Sequence, residues 1–212
     1  MPEQITVIFL NGKLPPLKII RKYLLKNSYI ICADGGANRI RAFKIIPKII
    51  LGDLDSIKKE TEGYFRKKKT EIRKIDDQDT TDFEKSLLYC IENNLNNIII
   101  FGAISTRSDH TLNNFSILKR YYKTLKLKII DKKFEIFFID KSVEFDYKVN
   151  KLISFLAFPF AKGVTTNGLK YPLQNEDLEF GVREGTLNLS ESDKITINFL
   201  EGDLLLFKKH FL

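Results

Sequence analysis

Over the first two-thirds of the chain, short aliphatic runs alternate with amphipathic segments. "ITVIFLNG" (Ile5 to Gly12) predicts a strand and "LKIIRKYLLKN" (Leu17 to Asn27) an amphipathic helix. "YIICADGG" (Tyr29 to Gly36) predicts a buried strand running into a Gly-rich turn, and "PKIILGDLD" repeats that pattern. "EIRKID" predicts another strand, and "NNIIIFGA" follows a long helix. That helix is marked by Phe83, Leu87, Leu88, Ile91 and Leu95 at helical spacing, with Thr81 and Glu84 forming a capping-box pattern at its start. After "NNIIIFGA" a further helix is predicted, with Leu112, Phe115 and Leu118 inward. Buried β-rich runs separated by helices imply a mostly parallel sheet with crossover helices, a Rossmann-like α/β arrangement.

The texture changes near residues 131–140. "FEIFFID", "VEFDYKV", "LISFLAFPF", "GVTTNGLKY", "KITINFLEGD" and "LLLFKKH" predict short strands with turn signals and no helix between them. That pattern suggests a smaller antiparallel β-sandwich. The expected division is an α/β domain over residues 1–135 and a sandwich over residues 136–212, without a low-complexity linker.

Polar residues then mark one end of the parallel sheet. Asp34 follows "YIICA", Asp53 and Asp55 follow "KIIL", "DDQDTTD" follows "EIRKI", and "STRSD" follows "IIIFGAI". Ligands of such sheets bind beyond the carboxyl ends of the strands, so four polar loops there form a candidate site. In an extended backbone Asp53 and Asp55 would point the same way and repel each other, which a divalent cation between them would relieve. A solvated strand-end turn is the bland alternative. The run from Asp76 to Asp82 adds a density of acceptors that capping by Thr81 alone does not explain. Magnesium, held by carboxylates and substrate phosphates, fits such a set. Arg107 offers a fork suited to phosphate, and Asp109 a helix cap. His110 reads as structural, bonded to a neighbouring loop.

Composition narrows the classes. Of 212 residues, 43% are hydrophobic and 29% charged, the balance of an ordinary globular protein. The chain opens without a signal-peptide pattern, and its most apolar segment, Leu152 to Ala161, is too short to span a bilayer. Cys32 and Cys90 sit in apolar contexts without metal-type spacing and suggest the cytoplasm. The net charge of +8 comes from dispersed lysines, which fits a small polyanion at least as well as nucleic acid. Both nucleotide-cradling glycine motifs, G-x-x-x-x-G-K-[ST] and G-x-G-x-x-G, are absent, and two histidines leave little room for a nucleophilic triad.

"CADGGANRI", "LGDLDSI", "DQDTTDFEKSL", "GAISTRSDHTLNNFSIL" and "GVTTNGLKYPL" resemble, in order and spacing, the motifs of thiamine pyrophosphokinases. The resemblance covers nearly the whole chain. It implies an α/β nucleotide-binding domain followed by a β-sandwich that binds thiamine and dimerises. It also implies a homodimer that moves pyrophosphate from ATP to the thiamine hydroxyl and releases AMP. By position, Asp53, Asp55 and Asp82 match the magnesium-binding acids of the family. Asp34, Gly35, Gly36, Gln78, Thr81, Arg107 and Asp109 match residues of the ATP and substrate site. Thr166, Gly168 and Tyr171 fall in the thiamine-side motif, where an aromatic ring could stack on the cationic vitamin or fill the sandwich core. Two departures stand out. Ser105 and Thr106 replace the glycines expected before Arg107, and Leu187-Asn188-Leu189 stands where the family has Ser-Asn-Glu, keeping only Asn188 for the thiamine side. A pyrophosphokinase for another heterocyclic alcohol, such as a hydroxymethylpterin, and a non-catalytic nucleotide-binding module are the alternatives.

Overall fold

The computed structural model describes residues 4–210 and divides into two compact units that meet in sequence between Lys132 and Lys133. The first carries β1 (Ile5–Phe9), α1 (Leu17–Tyr23), β2 (Tyr29–Ala33), α2 (Gly36–Arg41), β3 (Ile49–Gly52) and α3 (Lys59–Lys67). It continues through β4 (Glu71–Lys74), α4 (Asp82–Glu92), β5 (Asn97–Phe101), α5 (Ser108–Tyr121) and β6 (Lys126–Ile130). Every strand pair in this unit is parallel, and the order is β4-β3-β2-β1-β5-β6. Its central strands are built from Ile, Val, Leu and Phe because both faces are covered; β3 is buried at all four positions. Val7, Phe9, Ile19, Ile20, Ile40, Phe65 and Phe101 make the core on one side of the sheet.

Three helical expectations are corrected. The helix α1 stops at Tyr23, because Leu24 is extended (φ −86°, ψ 96°), and Leu25 is exposed. The buried face of α4 is Phe83, Ser86, Leu87 and Cys90; Leu88 and Ile91 lie at its exposed margin, and Leu95 is beyond its end. Two charged residues are buried on this helix as well. Glu84 is drawn inward by Arg120 and by the Tyr121 hydroxyl, which donates at 2.8 Å, and Lys85 is drawn toward Asp82. In α5, Ile117 and Leu118 are buried, but Leu112 is exposed. The first turns of α5 bond to their own entry loop, where Thr111 Oγ1 accepts from the Ser105 N–H and Asn114 donates to the Ala103 carbonyl.

The second unit is antiparallel: β7 (Phe134–Ile139), β8 (Val143–Asp146), β9 (Leu152–Asn167), β10 (Glu176–Glu179), β11 (Gly185–Leu189), β12 (Lys194–Asn198) and β13 (Glu201–Lys209). Two segments expected as separate strands are one 16-residue strand, β9. Its length lets it pair with β13, β11 and β10 in one sheet and with β12 in another, which β8 extends. Ile153, Phe155, Ala157 and Ala161 point into the core from odd positions, whereas Val164 and Thr166 do so from even ones. The parity changes at Gly163 (φ 64°), a left-handed position whose N–H donates to the Asp177 carboxylate at 2.9 Å. The strand β10 shifts register there.

Phe155 is fully buried at the centre of this core, beside Ile153, Ala157, Ile195 and Leu206. Phe155→Ala should therefore cost about 3–5 kcal/mol of stability, read as a shift of the urea midpoint at unchanged slope. A loss below about 1 kcal/mol would contradict this packing.

Candidate active site

Five of the six parallel strands end in polar loops at the same sheet edge. Asp34, directly after β2, is 1% exposed and sits at φ 38°. Both its carboxylate oxygens are used: Oδ2 accepts from the Ser56 N–H at 2.9 Å and Oδ1 from the Ile57 N–H at 3.0 Å. Burial pushes the Asp34 carboxyl up, and the N–H groups of Ser56, Ile57 and Gly35 pull it partly back. Asp34 thus ties the loop after β3 to the end of β2.

That loop is not extended. Leu54 takes φ 65°, and the Asp53 carboxylate accepts the Asp55 N–H at 3.2 Å. Asp53 and Asp55 are therefore not neighbours on one strand face. The carboxylates that converge belong to Asp34, Asp53 and Asp82, with an oxygen from each within 4.8 Å of the others. Asp55 is exposed and accepts the Ser56 hydroxyl at 2.8 Å. Gly52 (φ 146°) makes room for the trio, since a methyl group there would lie 2.7 Å from Asp82 Oδ1 and 3.0 Å from Asp34 Cβ.

Asp82 opens α4, with Thr81 as its N-cap: the Thr81 hydroxyl oxygen accepts the Glu84 N–H at 3.3 Å. Glu84 does not complete the box, because its carboxylate is committed to Arg120 and Tyr121. Burial first, and then the charge of Asp53, push the Asp82 carboxyl up, against the pull of Lys85. Lys85 is itself buried, with Nζ 3.4 Å from Asp82 Oδ1. Gln78 is exposed and donates only weakly to the Asp76 carbonyl, at 3.5 Å, away from the trio.

A cavity of about 390 Å³ opens beside these acids. Asp34, Gly35, Ser56, Thr81 and Asp82 line one part of it, and Ser105, Thr106, Arg107 and His110 another. It lies where the strand order reverses, between the ends of β1 and β5. Gly36, the first residue of α2, is buried beside Gly35. Arg107 and Asp109 hold each other in a two-pronged ion pair, at 2.6 and 3.2 Å, which holds the Asp109 carboxyl down at about 2. Asp109 therefore lies within the first turn of α5 rather than capping it. Ser105 puts its hydroxyl to structural use in place of a glycine, with its Oγ accepting the Arg107 N–H at 3.2 Å. His110 faces the cavity, and among the described residues no side-chain hydrogen bond ties it to a neighbouring loop. Sequence reasoning missed Asn11, Gly12 and Arg39, which also line the cavity. The signal was available in the "LNG" that follows the first strand.

In the second unit, Thr166 and Gly168 line a separate hollow of about 670 Å³, together with Leu169, Pro172 and Gln174. Thr166 is buried; its Oγ1 accepts the Leu173 N–H at 2.9 Å. Tyr171 is 59% exposed, which excludes the core-aromatic reading, and the Lys170 ammonium lies 5.6 Å from its ring centroid. Asn188 is buried and acts on the Tyr171 backbone: its Oδ1 accepts the N–H at 3.1 Å and its Nδ2 donates to the carbonyl at 2.7 Å. Between Leu187 and Leu189, Asn188 thus fixes the backbone that presents Tyr171.

The family model for the thiamin pyrophosphokinase catalytic domain matches residues 20–130, and that for the thiamin pyrophosphokinase vitamin B1 binding domain matches residues 139–204. Thiamine pyrophosphokinase 1 of Arabidopsis thaliana is 31% identical over 206 residues, covering 82% of this chain and 75% of the relative. Thiamine pyrophosphokinase of Bacillus subtilis is 28% identical over 192 residues, covering 88% and 89%. The crystal structure of the Bacillus subtilis thiamine pyrophosphokinase superposes with a TM-score of 0.86 at 26% identity, over 99% of this chain and 100% of that one. Neither a pterin-type acceptor nor a non-catalytic binding module finds support among these relatives. With both halves matched in order and the polar loops gathered at one sheet edge, the chain belongs to the thiamin pyrophosphokinase family.

Proposed function

We propose that this chain transfers the pyrophosphoryl group of ATP to the hydroxyl of thiamine, giving thiamine diphosphate and AMP, with magnesium held by its acids. The observation that carries this reading is the convergence of Asp34, Asp53 and Asp82 beside a cavity that Asp34 and Asp82 line, in the first unit of a thiamin pyrophosphokinase family member. Three carboxylates this close are the hard oxygen donors magnesium takes. Because Asp34 is spent on two backbone N–H groups, Asp53 and Asp82 would hold the ion, joined by exposed Asp55 from the same loop. A bound magnesium supplies charge neutralisation for the phosphates. The protein's own share is positioning. Thr81 and Gly35 line the cavity wall, and Gln78 stands on the adjoining loop. Arg107, oriented by Asp109 and lining the cavity, would meet the phosphates.

Thiamine would bind at the motif of the second unit, with Thr166, Gly168 and the Tyr171 ring presented to it and Asn188 fixing the Tyr171 backbone. The protein would act as a homodimer: the small second unit leaves Phe180, Val182, Leu187 and Leu200 exposed, apolar area that a second copy could cover. Buried, unpaired Cys32 and Cys90 suit the reducing cytoplasm, and no described helix is long and apolar enough to cross a membrane.

Asp53→Asn and Asp55→Asn should each lower turnover at least about a hundredfold, or ~2.7 kcal/mol in the barrier. A carboxyl pushed up by a neighbouring charge destabilises the fold while ionised. Removing the Asp53 charge should therefore leave the melting temperature of the magnesium-free protein level or higher. Near-normal turnover at saturating magnesium would remove either residue from the metal site.

Because Tyr171 is exposed, Tyr171→Ala should change stability by no more than about 0.5 kcal/mol. It should nevertheless raise the KM for thiamine ten- to a hundredfold, since stacking a desolvated cation is worth ~1.4–2.7 kcal/mol. Tyr171→Phe should stay within about threefold of wild type. An unchanged thiamine KM in stable Tyr171→Ala would refute the stacking role.

For association, sedimentation at micromolar concentration should give twice the chain mass; a pure monomer would count against the dimer.

A further inference from the structure

The cavity holds two arginines in unlike electrostatic states. Arg107 is compensated by its two-pronged pair with Asp109. Arg39, in α2, forms no ion pair among the described residues. Its Nε donates to two neutral acceptors on Asn11, the main-chain carbonyl at 3.1 Å and Oδ1 at 3.3 Å. A guanidinium anchored through Nε keeps both Nη groups for a further partner, and that planar fork matches phosphate oxygens.

The anchor is built from two loops of the sheet edge. Asn11 follows β1, and Arg39 lies five residues beyond Asp34. A methyl group at Gly35 would overlap the Asn11 side-chain amide, so the glycine of the second loop leaves the space in which Asn11 sits. The same cavity receives Asp34 and Asp82. A divalent cation shared among three carboxylates and a triphosphate leaves net negative charge. A second, uncompensated positive group must therefore face the phosphates.

We propose that Arg39 is a phosphate-binding residue of the nucleotide site, held ready by Asn11 through the space that Gly35 leaves. The inference rests on the ATP reading above and names a group that balances part of the phosphate charge.

The test uses the full-length protein with magnesium and α,β-methylene-ATP, measured by titration calorimetry, alongside the KM values for ATP and thiamine. Arg39→Gln should weaken the analogue and raise the ATP KM at least tenfold, with the thiamine KM within about twofold. Arg39→Lys, which keeps charge without the Nε anchor, should recover part of the loss. Asn11→Ala, with Arg39 intact, should weaken the analogue at least threefold. Unchanged analogue affinity in folded Arg39→Gln overturns the role of Arg39, as does an equal rise in both KM values. If wild type itself fails to bind the analogue, the ATP reading falls, and this inference with it.

Discussion

The site depends on one buried carboxylate. Asp34, at the end of β2, accepts the N–H groups of Ser56 and Ile57 and so fixes the course of the loop that carries Asp53 and Asp55. Hydrogen bonds to a charged acceptor contribute about 1.5–3 kcal/mol each, enough to hold a short loop against its conformational entropy. Asp34 itself sits in the left-handed region, and so does Leu54 between the two acids. Such strain persists only where surrounding structure over-determines it. Here it serves to bring carboxylates together that would otherwise move apart.

Mutual repulsion is the cost of that arrangement, and the fold meets it with dispersed positive groups. Buried Lys85 stands 3.4 Å from Asp82, and Lys74 is drawn to Asp76 and feels the charge of Asp53. Both Asp34 and Asp82 are nonetheless pushed up, by burial first and, for Asp82, then by the charge of Asp53. Arg39, which lines the same cavity, is anchored by neutral acceptors on Asn11. Acidic and basic side chains thus share one cavity of the first unit.

The second unit positions its motif by different means. Buried Asn188 grips both backbone groups of Tyr171, and buried Thr166 reaches the backbone at Leu173, so two polar side chains hold the segment at two points. Satisfied in this way, they cost little to bury and leave the Tyr171 ring exposed at the surface. The left-handed turn at Gly168 belongs to the same device, since the Gly168 carbonyl accepts N–H groups from Glu191 and Ser192.

The sequence by itself determined the parallel sheet, the change to antiparallel strands, and the sheet edge on which the chemistry collects. These follow from hydrophobic period and from the rule that polar loops at strand ends share one side, both local or topological facts. The Thr81 cap was legible for the same reason: it is a contact between residues three apart. Only the tertiary structure decided which acids meet. Asp34 and Asp82 are 48 positions apart in sequence, and the backbone reversal at Leu54 separates Asp53 from Asp55 although they look paired. Only the fold, likewise, could show that Glu84 and Lys85 are buried on α4 while Leu88 and Ile91 face outward, or that β9 runs unbroken through a parity change at Gly163. Periodicity records which side of an element is apolar on average. Which charged residues can be buried depends on partners the period does not record, as Arg120 and Tyr121 of α5 are for Glu84.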